Sequence, residues 1–144
     1  MESTVTWKSG MAFDAEVEGL NFTIDASPEH GGQGLGPKPK PLALTSHAGC
    51  TAMDVISILT KMRVTPTAFK VVAESGLTEN HPKMFAGITV TFDFEGENLP
   101  EAKLRKAIAL SQERYCGVAA MLKKATPVIS VLRVNGEVLP EPVA

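Results

Sequence analysis

The chain is short of most things that specialised folds depend on. Its 144 residues hold two cysteines, Cys50 and Cys116, too few for a disulfide-stapled scaffold or a closed zinc site made of cysteines. If they do chemistry, that chemistry is redox. There is one tryptophan, one tyrosine and three histidines. His30, His47 and His81 share no HxH or HxxxH spacing, so no metal and no other cofactor is expected. Basic charge is not in excess: 14 Lys and Arg stand against 16 Asp and Glu, a net charge of −2. No stripe is available to neutralise phosphates, and no nucleic-acid partner is expected. No apolar run reads as reaching the roughly 18 to 20 residues of a membrane span, and the N-terminus MESTVTWKSG lacks the basic-then-apolar build of a secretory signal. The expected location is cytoplasmic, with no membrane partner. What the chain does have is 44% hydrophobic and 21% charged residues, enough for one globular domain over residues 1–144.

Residues 1–25 alternate at period two. Val5 and Trp7, then Phe13, Ala15 and Val17, then Leu20, Phe22 and Ile24 are placed on one face of extended segments, with Glu18-Gly19 as a tight turn. From Ala26 to Pro41 the run SPEHGGQGLGPKPKP reads as a long, flexible loop. Its Gly32, Gly34 and Gly36 are not followed by the GK[ST] of a phosphate cradle. Residues 41 to 63, PLALTSHAGCTAMDVISILTKMR, predict a buried helix, with Pro41 suited to its first turn. Along it His47, Cys50, Asp54, Ser57 and Lys61 follow i, i+3, i+4 spacing and share a stripe.

Strands are expected near 67 to 75 and 84 to 95, the second alternating through Ile88, Val90, Phe92 and Phe94. Asn98 with Glu101 resembles a capping box. The stripe Leu104, Ile108, Ser111, Tyr115, Val118 and Leu122 then predicts one amphipathic helix running to Lys124, with Cys116 just off the stripe. A last strand over Val128 to Val134 is followed by the turn signal Asn135-Gly136. This order predicts an α+β layer structure with two cysteine-bearing helices that can pack together. Hydrophobic helices in so small a domain also favour burial against a second copy, a homodimer. Trp7 and Tyr115 read as packing residues.

A cysteine is a nucleophile only as thiolate, and a nearby cation or helix N-terminus must lower its pKa from about 8.5. His47, one turn before Cys50, is one candidate. Asp54, one turn after it, acts in the opposite sense. Two readings stay open on the residues alone. Both cysteines are small buried hydrophobes, or an oxidised first thiol condenses with the second.

The segment GPKPKPLALTSHAGCTAMDVISILTKMR, followed 66 positions after Cys50 by LSQERYCGVAAML, resembles the OsmC/Ohr superfamily of bacterial hydroperoxide-handling proteins. The specific parts are the Pro-rich helix entry, Ala48-Gly49-Cys50 with Asp54, the His81-Pro82 and Phe85 segment, and Tyr115-Cys116. The likeness is nearest to the OsmC-like branch. It implies an intertwined α+β homodimer, with antiparallel sheets packed around the two cysteine helices and active sites at the subunit interface. It further implies a thiol-dependent peroxidase of the oxidative stress response. In that mechanism Cys50 attacks an organic hydroperoxide or hydrogen peroxide and becomes a sulfenic acid. Cys116 resolves it as a disulfide, and a dithiol or lipoyl-type reductant resets the pair. His47, Asp54 and Lys40 are possible auxiliary residues. Lys40 stands where better-studied members carry a Glu, and no Arg precedes Arg63, so the cation beside the thiolate must come from elsewhere, from Lys40, from Lys8 or from a residue of a partner subunit. The alternatives are a binding module of the same fold and a redox sensor with little turnover.

Overall fold

The structure, a computed structural model, describes residues 1–141. It contains two compact units, Met1–Leu44 and the residues from Thr45 onward.

In the first unit, β1 (Ser3–Ser9), β2 (Ala12–Val17) and β3 (Leu20–Ile24) form an antiparallel sheet in that order. Glu18 and Gly19 make the expected turn. Both have positive φ, 51° and 79°, the left-handed pair that a two-residue hairpin requires. The apolar alternation is not matched by burial within this chain: Ala12 and Ala15 are buried, while Val5, Trp7 and Leu20 are exposed. Trp7, expected to pack, is 66% exposed, and its indole N–H donates to the Gly10 carbonyl at 3.0 Å.

The Gly/Pro-rich segment is irregular apart from a 3-10 turn at Pro28–His30, but the expectation of a flexible loop needs correction. The carboxylate of buried Asp25 accepts from the amides of Gln33 and Ala26 at 2.8 Å and of Leu35 at 3.2 Å. The Gln33 and Leu35 amides, foremost, hold its pKa below the ordinary carboxylate value. Gly32 and Gly36 run against the carbonyls of Ala26 and Thr23, where a Cβ would collide. The loop amides that a phosphate would need therefore already serve an internal anion.

Helix α1 (Pro39–Lys61) begins in the first unit and continues through the second. It starts two residues earlier than expected, with Pro39 and Pro41 in its first turn, where a missing N–H costs no intrahelical bond. Its buried residues His47, Thr51, Val55 and Leu59 recur every fourth position and define one face. By length and composition α1 is sufficient to cross a membrane, which corrects the reading that no such run exists. Its Thr51 and Asp54 hydrogen-bond to Ser111, but the expected buried helix needs correction: only the His47, Thr51, Val55 and Leu59 face is buried within this chain, and Met53 and Ile56 are exposed.

The second unit is built on the sheet β4 (Ala68–Leu77), β5 (Phe85–Glu95), β6 (Val128–Val134) and β7 (Glu137–Leu139), in that order. The outer pairs are antiparallel but β5 and β6 run parallel, so the sheet is mixed and not purely antiparallel. The helical connection between β5 and β6 is long enough for the crossover that parallel pairing demands. Ile88, Val90, Phe92 and Phe94 of β5 are buried as their alternation predicts, and Phe69 stacks on Phe94 with ring centroids 4.4 Å apart. Asn135 and Gly136, both at positive φ, fold β7 back onto β6.

The expected single helix from Asn98 to Lys124 is two helices. α2 (Glu101–Leu110) is followed by a π turn at Ser111–Tyr115, a break at Cys116, and α3 (Gly117–Leu122). Asn98 is not a cap: its φ is 52°, and Glu101 pairs with Arg105 at 2.7 Å instead of reaching back. The break lies where the Cys116 amide bonds the Ser111 carbonyl five residues back, at 2.8 Å, and where Gly117 weakens any continuing helix. Tyr115, just before it, is 53% exposed rather than packed.

Candidate active site

The two cysteines arrive by different routes. Cys50 sits in mid-helix on α1, half-buried, one turn before Asp54. Cys116 is buried at an extended backbone position (φ −74°, ψ 98°), and its Sγ accepts the Ala119 amide at 3.3 Å, capping α3. The cysteine sulfurs and an Asp54 carboxylate oxygen lie within 4.8 Å of one another, and both thiols are free. Helix spacing had placed Cys50 and Asp54 on one side; the structure adds Cys116 to them.

A polar core links the two cysteine segments. Thr51 Oγ1 and Ser111 Oγ are 2.7 Å apart, Ser111 donates to Asp54 Oδ2 at 3.0 Å, and Gln112 Nε2 donates to Thr51 Oγ1 at 2.8 Å. The π turn frees the Gln112 carbonyl from the helix ladder, and Lys123 Nζ takes it at 2.7 Å. Sequence spacing does not single out Ser111, Thr51 or Gln112 as site residues. The available signal was Ser111, a hydroxyl in an otherwise apolar stripe, opposite a threonine next to Cys50.

Burial pushes the Cys116 thiol up to about 11, and the Cys50 side chain and Asp54 carboxylate act the same way against the Ala119 amide. His47 is wholly buried on α1, and burial lowers its pKa below the ordinary value, helped by the charge of Lys123. Its ring is therefore neutral near pH 7 and supplies no cation there. Gln112 favours the protonated ring, although neither ring nitrogen has a hydrogen-bond partner of normal geometry. Lys40 is exposed in the first turn of α1. The three histidines share no HxH or HxxxH spacing. A cleft of about 970 Å³ bordered by Thr67, Glu95, Glu97 and Asn135 includes neither cysteine.

This α+β arrangement is shared with solved structures. A hypothetical protein from Aquifex aeolicus VF5 superposes with a TM-score of 0.82 at 29% identity, over 94% of this chain and 96% of that one. The organic hydroperoxide resistance protein OhrB of Bacillus subtilis shares the fold at a TM-score of 0.67 and 16% identity, over 94% of this chain and 98% of its own. The OsmC-like protein family matches residues 31–131. Protein YhfA of Escherichia coli (strain K12) is 35% identical over 126 residues, covering 87% of this chain and 91% of that protein. The chain belongs to the OsmC-like family, as the helix-entry and Tyr115-Cys116 motifs imply.

Proposed function

We propose that the protein is a thiol-dependent peroxidase for organic hydroperoxides, and for hydrogen peroxide to a lesser degree. The observation that carries this reading is the convergence of two free thiols, 66 positions apart in the chain, within 4.8 Å.

In this reading the Cys50 thiolate attacks an oxygen of the hydroperoxide. The O–O bond breaks, the alkoxide takes up the proton released when the Cys50 thiol ionised and leaves as the alcohol, and Cys50 holds the hydroxyl as a sulfenic acid. The Cys116 sulfur then displaces that oxygen as water, forming the Cys50-Cys116 disulfide. A dithiol of the lipoyl type reduces it through a mixed disulfide and is itself oxidised.

A homodimer belongs to the same proposal. It is supported by apolar side chains bare in a single chain, among them Met53, Ile56 and Tyr115. Light scattering at micromolar concentration should give twice the mass of 15.3 kDa.

The catalytic test is steady-state consumption of cumene hydroperoxide with dihydrolipoamide as reductant. Repeated turnover, lost in Cys50→Ser, is expected. A single round of oxidation without turnover would replace the peroxidase with a redox sensor. No oxidation at all would favour a binding module.

A further inference from the structure

The polar chain between the cysteine segments has a readable direction. Gln112 Nε2 can only donate, and it donates to Thr51 Oγ1. Ser111 Oγ gives its single proton to Asp54 Oδ2. The 2.7 Å bond between Thr51 and Ser111 must then run from Thr51 to Ser111. The sense is Gln112 to Thr51 to Ser111 to Asp54, and it terminates on a carboxylate. Thr51 and Ser111 are fully buried, where such bonds are strong and mutually reinforcing. They pin one oxygen of Asp54, in a carboxylate that reaches to within 4.8 Å of both sulfurs.

Resting on the peroxidase reading above, we propose that Asp54 is the proton-transfer residue of disulfide formation and that Ser111, Thr51 and Gln112 are positioning residues that aim it. As the Cys116 sulfur bonds to the Cys50 sulfur, the S–O bond of the sulfenic acid breaks. Asp54 takes the proton from the Cys116 thiol and passes it to the departing hydroxide. Water leaves, and the carboxylate is restored. Cys116 needs such an acceptor, because burial, foremost, keeps its thiol protonated up to about pH 11. The standing charge of the same carboxylate opposes ionisation of Cys116. A purely electrostatic role and a proton-transfer role therefore have opposite signs when the carboxylate is removed.

The experiment times each step in reduced wild type, Asp54→Asn, Ser111→Ala and Thr51→Val, with folding checked by circular dichroism. One turnover with cumene hydroperoxide is quenched, and sulfenic acid is measured by dimedone trapping and disulfide by non-reducing mass spectrometry. A second arm begins from Cys50 joined to glutathione as a mixed disulfide and follows glutathione release as Cys116 attacks. In both arms Asp54→Asn is expected to slow disulfide formation by about 10²-fold, the scale of general acid–base catalysis, while sulfenic acid formation in the hydroperoxide arm is not slowed. Ser111→Ala and Thr51→Val keep the carboxylate and lose its aim, so the same step should slow by about tenfold. Disulfide formation in Asp54→Asn at or above the wild-type rate overturns the proposal, as does equal slowing of both steps. If hydroperoxide leaves the wild-type thiols intact, the peroxidase reading fails, while the glutathione arm still decides the role of Asp54.

Discussion

The two cysteine-bearing segments solve the same problem in opposite ways. α1 carries Cys50 on an unbroken helix, where the direction of the thiol follows from the regular helix whose other face holds the wholly buried Val55 and Leu59. The second segment interrupts its helix, and Cys116 sits at the break, held by its own capping contact with Ala119 and by the π turn that precedes it. A regular helix fixes direction cheaply but keeps every side chain in register. An irregular one can turn a buried residue toward a neighbour, which is why π turns gather at functional sites.

The largest expected contrast is chemical. Cys50→Ser should abolish reaction with hydroperoxide, whereas Cys116→Ser should still consume one equivalent and leave Cys50 as sulfenic or over-oxidised acid, with no intramolecular disulfide, read by mass spectrometry. Identical behaviour of the two variants would erase the distinction between the segments.

Next comes anchoring. Leu59 on α1 and Leu104 on α2 are both fully buried, so Leu59→Ala and Leu104→Ala should each cost about 2 to 5 kcal/mol in denaturant unfolding. A much smaller loss on one side would show that segment to be loosely held.

The first segment was legible in the sequence for a physical reason. Periodicity reports which side of a regular helix faces a neighbour, and Cys50 with Asp54 obeys it. The strands of the second unit were equally legible, since Ile88, Val90, Phe92 and Phe94 alternate without a fault. The break at Cys116 was not, because Leu104, Ile108, Ser111 and Tyr115 suit a continuous helix. The π turn inserts its change of register through one backbone bond, from the Cys116 amide to the Ser111 carbonyl. Parallel pairing of β5 with β6 was missed likewise, since alternation in a strand carries no information on the direction of its partner. Residue type alone points Trp7 and Tyr115 to packing, yet they are exposed within the single chain.

A subtler contrast concerns the cap. Serine is a good helix N-cap and alanine a poor one, so Cys116→Ser should be more stable than Cys116→Ala by about 1 kcal/mol. At mid-helix Cys50 the order should reverse, with alanine ahead of serine by about 0.5 kcal/mol through helix propensity. Thermal or urea unfolding of the four variants decides it. The same order at both positions would contradict a cap at Cys116.

The smallest effects are in pH. In Cys50→Ser the remaining Cys116 thiol should titrate below about 11, because the Cys50 contribution is lost, yet above the ordinary 9.0, because burial is the main cause. Iodoacetamide labelling against pH measures this, and a midpoint at or below 9.0 would contradict the buried position. On α1, His47 is held neutral by burial, so its pKa is lower folded than unfolded. Below an unfolded value of about 6.5 the unfolded chain takes up a proton that the folded chain refuses. That share of stability is present above this pH and is lost as pH falls toward the folded pKa. Urea midpoints should therefore drop between pH 7.5 and 5.5 by more in wild type than in His47→Gln; parallel curves would refute a buried neutral ring.

On the peroxidase proposal, the two segments bring Cys50 and Cys116 into one redox pair. Its most direct test is intact-mass and peptide mapping of reduced protein after one equivalent of cumene hydroperoxide. The expected outcome is a single product in which Cys50 and Cys116 are joined within one chain. Two surviving thiols, or a sulfenic or sulfonic acid on Cys50 beside a free Cys116, would contradict it.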